Sequence, residues 1–273
     1  MRTLFQASLS ARPRRPLLIG VVHLLPCPGS PGFDGDFARV LEAAEADARA
    51  LQEGGADGLI VENFGDMPFF RDAVPPETVA SMALAVGRLQ KLVGSLPVGV
   101  NVLRNDARAG LGLCAIGAAF LRINVHSGAM LTDQGLIQGR AAETVRERQR
   151  LAPGAAILAD VHVKHAVPLG EQNLLEAARD AFRRAAADAL VISGTHTGAE
   201  PDAGHLREVR EGLPEAPLLI GSGLNIGNAA QLLPWVQGAI VGTSLKHEGR
   251  VEAPVETRRV RELVEVFHAA SAH

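Results

Sequence analysis

A repeating alternation constrains this chain more than any single motif. Eight short runs rich in Val, Ile and Leu recur at 17–22, 58–61, 98–102, 120–125, 155–161, 189–192, 218–220 and 239–241. Between them lie segments with apolar residues at helical spacing. Phe37, Val40, Leu41, Ala44, Ala48 and Leu51 form one stripe, with Glu42, Glu45 and Arg49 off it. Val79, Met82, Ala83, Val86 and Leu89 form another; Leu174, Leu175, Ala178, Phe182 and Ala185 a third; Val260, Leu263, Val264 and Phe267 the last. Gly54-Gly55 and Pro75-Pro76 punctuate helix ends and starts. A strand that is followed each time by a helix pairs in parallel with its neighbours, because antiparallel strands need no such crossover. Eight such units close without an edge, so the expected fold is an α/β (β/α)8 TIM barrel.

The 273 residues suit one barrel, which takes about 250. Residues 1–16 read as a basic N-terminal arm and 17–273 as a single barrel domain. The arm carries Arg2, Arg12, Arg14 and Arg15 without the apolar run of a secretory signal. A net charge of −3 argues against a general nucleic-acid binder. No apolar stretch is long enough for a transmembrane helix. Two distant cysteines, Cys27 and Cys114, exclude a disulfide framework and suit a reducing compartment, so the expected location is cytoplasmic. A homo-oligomer is compatible with all of this. The long connections 63–76 and 126–138 read as lids or binding loops.

Strands buried on both faces should be apolar throughout, and several here are not. Arg122, Asn124 and His126 alternate with Leu121, Ile123 and Val125; Asp160, His162 and Lys164 alternate with Val161 and Val163. Side chains alternate between faces. With the apolar set against the helices, the polar set faces the barrel axis. Asn101 follows the same logic, and Glu62-Asn63 and His23 end their strands. Arg122 with Asp160 reads equally as a structural ion pair, but the whole cluster reads as an active site at the strand ends. His162 is suited to shuttle protons. Asp160 or Glu62 would act as base or orient it. Lys164 would neutralise an oxyanion, bind phosphate or form a Schiff base. Asn101, Arg122, Asn124, His126, Ser193 and Gly194 would position substrate. His23, His126 and His162 form a weaker alternative as metal ligands, with no HExxH or CxxC spacing to support it; no metal or cofactor is assigned.

The last three strands end in glycine turns: ISGTHTG (192–198), IGSGLN (220–225) and VGTSLK (241–246). Glycine lets backbone approach a ligand closely, and the loops after the seventh and eighth strands hold phosphate in many barrels. Gly221, Ser222, Gly223, Gly242, Thr243 and Ser244 are therefore the expected phosphate cradle. The plainer reading is that these glycines make tight turns. Lys246 would assist the cradle or lie on the surface.

The segments GVVHLLPCPGSP (20–31), ENFGDMPF (62–69), GVNVLRNDA (99–107), RINVHSGAM (122–130), DQGLIQG (133–139), ADVHVKHA (159–166), ISGTHTG, GSGLN (221–225) and GTSLK (242–246) resemble the BtpA/SgcQ family. The resemblance implies a phosphate-binding barrel. It also implies a link, through the cyanobacterial member, to photosystem I biogenesis at a membrane surface, and through others to sugar metabolism. It carries no catalytic mechanism. The resulting expectation is an enzyme, a lyase, isomerase or hydrolase, acting on a small phosphorylated metabolite such as a sugar phosphate or nucleotide-like compound. The alternative is a non-catalytic assembly factor that works by protein contacts.

Overall fold

The eight apolar runs pair in parallel and close on themselves. The computed structural model describes residues 15–163, 165–170, 173–194 and 200–270. In chain order the elements are β1 (Leu17–His23), α1 (Phe37–Gly54), β2 (Gly58–Glu62), α2 (Pro76–Val93), β3 (Val98–Asn101), α3 (Ala107–Ala115) and β4 (Phe120–Ile123). There follow β5 (Ala129–Thr132), β6 (Gly135–Gln138), α4 (Ala141–Leu151), β7 (Ala156–Val161), β8 (Ala166–Pro168) and α5 (Leu174–Arg179), which runs on as a π-helical turn, Asp180–Arg184. The rest are β9 (Ala189–Ile192), α6 (Ala203–Gly212), β10 (Leu218–Ile220), α7 (Ala229–Leu232), β11 (Gly238–Val241) and α8 (Thr257–Ala269). Around the barrel the order is β1-β11-β10-β9-β7-β4-β3-β2.

Alternation sorts the side chains as expected. Val22, Val61, Val100, Ile123 and Val161 face the helices in one large core. Ile19, Val21, Ile60, Phe120, Leu158, Val191, Leu219 and Ile240 fill the barrel interior. Gly99 is required there: a Cβ would lie 2.1 Å from the Phe120 ring. Below, Asp57 accepts from both terminal nitrogens of Arg15, at 2.8 and 2.7 Å, and from Leu18 N at 2.9 Å. At the opposite end, where the strands run out, a cavity opens. Residues 1–14 of the expected arm lie outside the described residues, while Arg15 is bound to the barrel itself.

The connection 126–138, read from sequence as a loop, contains secondary structure. β5 and β6 form a hairpin, and β8 adds antiparallel to β5. The turn holds because Thr132 Oγ1 donates to Gly135 O at 2.8 Å and Gly135 adopts φ +93°, a conformation that suits glycine. One face buries Met130 and Ile137 against Val125 and Val163. The other exposes Leu131, Leu136 and Val167, which lie side by side through the registers Leu131↔Leu136 and Leu131↔Val167. No helix among the described residues is long and apolar enough to cross a membrane.

Candidate active site at the barrel mouth

Polar side chains form the uppermost inward layer. Arg122, fully buried, donates from Nε to Asp160 Oδ1 at 2.8 Å and from Nη2 to Oδ2 at 3.0 Å. Its Nη1 donates to Gly221 O at 3.3 Å and lies 3.6 Å from Glu62 Oε1. Burial works against this charge, but the bonds and charges of Asp160 and Glu62 hold the guanidinium above its usual range. Asn124 Nδ2 donates to Asp160 Oδ2 at 2.9 Å, and Asn101 Nδ2 to Glu62 Oε1 at 3.2 Å. His23 Nε2 lies 3.8 Å from Glu62 Oε2, and its ring packs on Phe64 with centroids 4.5 Å apart. Asp160 is therefore engaged by three donors and holds Arg122 in place.

A cavity of about 340 Å³ opens beside this layer. His23, Glu62, Phe64 and Arg122 form one wall; the loops Gly221–Asn225 and Gly242–Ser244 form the other. Gly223 sits at φ +82°, and Asn228 Nδ2 braces the loop by donating to Gly223 O at 3.0 Å. The Ser244 hydroxyl is engaged in donating to Leu224 O at 2.8 Å, so it ties the two loops together. Thr243 and Ser244 open a 3₁₀ turn, Thr243–Leu245, whose first amides have no acceptor within the turn. The expected cradle residues thus lie together.

Two asparagines lace the rim. Asn63 Oδ1 accepts from Leu103 N at 2.8 Å and its Nδ2 donates to Leu103 O at 3.4 Å. Asn105 does the same for Val125, accepting from N at 2.8 Å and donating to O at 3.0 Å. This explains why β4 ends at Ile123, short of the expected 125.

Several expectations change. His126 does not face the mouth: its Nε2 is 2.9 Å from Ala185 O, beyond the π turn that packs outside the barrel. Burial pushes its pKa down. The strand alternation that would have turned it inward has ended. Lys246 is neither in the cradle nor on the surface. It is buried 3.7 Å from Asp47 Oδ2 of α1, and Asp47 also accepts from Val255 N. Burial drives Lys246 and Asp47 each toward its neutral form. His162, at φ +51°, lines a separate small pocket with Gly128, Met130, Asp160 and Pro168. Burial, then His205, lowers its pKa. His23, His126 and His162 therefore stand apart, and no group of three or more metal-ligating side chains gathers among the described residues. Asn124 Oδ1, His162 Nε2 and Ser193 Oγ are buried without a hydrogen-bond partner among the described residues. Gly194 is buried at the end of β9. Lys164 lies outside the described residues.

Sequence reasoning missed two arginines. Arg104 is buried close enough to Asp160, Arg122 and Glu62 to feel their charges, although burial is the larger effect and lowers its pKa. It belongs to no regular strand, so alternation could not reveal it. Arg259, on α8, lines the cavity beside Ser244; helix periodicity marks it only as a polar-face residue.

The family model described as the BtpA family matches residues 14–269. The chain belongs to the BtpA family. One BtpA-family relative, the photosystem I biogenesis protein BtpA of Synechocystis sp., is 46% identical over 251 residues, 92% of this chain and 87% of that protein. The putative sgc region protein SgcQ of Escherichia coli is 31% identical over 254 residues, 92% of this chain and 94% of its own. Among solved structures, thiamine phosphate pyrophosphorylase from Pyrococcus furiosus superposes with a TM-score of 0.60 at 17% identity, covering 95% of this chain and 98% of that one. At that identity the likeness establishes the TIM-barrel fold alone.

Proposed function

We propose that this BtpA-family barrel is an enzyme acting on a small phosphorylated metabolite of sugar-phosphate size. The supporting observation is a single cavity with glycine-rich turns after β10 and β11 on one wall and His23, Glu62 and Arg122 on the other. Phosphate sits against Gly221, Ser222, Gly223, Gly242, Thr243 and Ser244, where backbone can approach closely and the Ser222 and Thr243 side chains stand. His23 and Glu62, 3.8 Å apart, handle protons as the acid–base pair of the site. Asp160 holds Arg122, while Asn101 and Asn124 position polar groups of the substrate. His162 and Ser193 offer further polar contacts from the adjoining sector.

The test is calorimetric titration with inorganic phosphate and ribose 5-phosphate. Binding by the native chain that is weakened in Ser222→Ala and Thr243→Val supports the reading. No binding of either compound removes it. With a turnover assay in hand, Glu62→Gln and His23→Asn should lower kcat about 10²–10⁴-fold.

A second reading takes its lead from the name of the Synechocystis relative: assembly of a protein complex through surface contacts. The outer face of the β6-β5-β8 sheet favours it, with Leu131 55%, Val167 65% and Leu169 65% exposed. Contiguous exposed apolar residues mark interaction sites. Replacing Leu131 and Val167 by Ser should then abolish complementation while phosphate binding persists. Complementation by that variant would remove this reading.

A further inference from the structure

Three charged side chains among the described residues line the cavity: Glu62, Arg122 and Arg259. Arg122 is already balanced by two bonds to Asp160, and Glu62 repels an anion. A phosphate monoester carries about −1.5 to −2 near neutral pH, and the hydroxyls and amides of the glycine turns are neutral. The remaining countercharge is Arg259. It reaches the cradle from outside the barrel: Nη1 donates to Ser244 O at 3.4 Å and Nε to Glu256 Oε2 at 3.1 Å. Its Nη2 has no acceptor among the described residues. Glu256 neutralises it incompletely, since that one carboxylate also accepts from Arg258 at 3.3 Å and lies 3.7 Å from His247 Nδ1.

We infer that Arg259 is the phosphate-binding cation of this site and selects a small phosphate monoester in its dianionic form. The inference rests on the phosphate reading above and narrows its substrate class. A guanidinium presents paired donors that match two phosphate oxygens. The cavity of about 340 Å³ lies near the bottom of the range for ligand pockets. It therefore suits a phosphorylated sugar or triose better than a nucleotide.

The experiment compares the native chain with Arg259→Gln, Arg259→Lys and Arg261→Gln, titrating glycerol 3-phosphate and the diester dimethyl phosphate from pH 5 to 8. Arg261 supplies the control, being two residues away on the same helix and donating to Glu53 O of α1 rather than to Glu256. In the native chain the monoester should bind more tightly than the diester. Its affinity should fall below about pH 6, where the phosphate takes up a proton. Arg259→Gln should weaken the monoester about tenfold or more and flatten that pH dependence, with Arg259→Lys intermediate and Arg261→Gln unchanged. Coincident melting curves exclude misfolding. Equal binding by Arg259→Gln, or equal weakening by Arg261→Gln, overturns the inference while leaving the phosphate reading intact. No binding by the native chain overturns both.

Discussion

Arg122 and Asp160 meet edge to edge across adjacent strands, Nε to Oδ1 at 2.8 Å and Nη2 to Oδ2 at 3.0 Å, both nearly sealed from solvent. Such a pair offers little net stability over apolar residues of the same size, but breaking it strands a buried charge. Arg122→Met should therefore destabilise the barrel by about 3–5 kcal/mol in urea unfolding. The double variant Arg122→Met/Asp160→Leu should recover much of that. If the double variant is as unstable as the single, the cost lies in packing and not in the stranded carboxylate.

Position 221 is a steric window for this arginine. A Cβ there would lie 2.6 Å from Ser193 Oγ, 2.9 Å from Arg122 Nη2 and 2.4 Å from a Val191 methyl. Gly221→Ala is expected to cost about 1–3 kcal/mol by overpacking and to weaken phosphate binding by displacing the guanidinium. A melting temperature and affinity both equal to native would show that the mouth yields freely.

Lys246 provides the contrast. Lys246→Met leaves Asp47 buried with the Val255 amide donating to it, so a stability loss of about a few kcal/mol is expected. Phosphate affinity should not change, because the amine points at α1 and away from the cradle. A selective loss of affinity at native stability would return this lysine to the site.

Acid should destabilise the fold through two histidines. Burial depresses His126 and His162 below the ordinary value of 6.5. The unfolded chain then binds more protons than the folded one between those values, and stability rises with pH in that window. It is complete above about pH 6.5 and lost as pH falls through it. The melting temperature should follow that curve, and His126→Gln, which keeps a donor for Ala185 O, should flatten it. An unchanged curve in the variant would assign the acid transition elsewhere.

Strand number, closure and the inward set Asn101, Arg122, Asn124 and Asp160 were legible in the sequence because alternation on a strand is rigid geometry. That logic failed at His126, three residues past the end of β4, where Asn105 has already taken the backbone bonds of Val125. It could not reach Lys246 either, whose partner Asp47 lies 199 residues earlier on a helix. The hairpin at 129–138 carried a legible alternation of its own, Met130 and Ile137 against Leu131 and Leu136. Its length and position nevertheless invited the reading of a loop.

The asparagine clamps have a consequence for how this rim can change. Asn63 holds Leu103 and Asn105 holds Val125, so three successive connections keep each other in step like stitches in one seam. Lengthening the middle one by a residue would pull both stitches at once, and lengthening either outer one would pull its own. Barrels usually acquire new specificities by exchanging whole loops. Here new specificity is more accessible through single side chains that point into the cavity, with the rim itself left untouched.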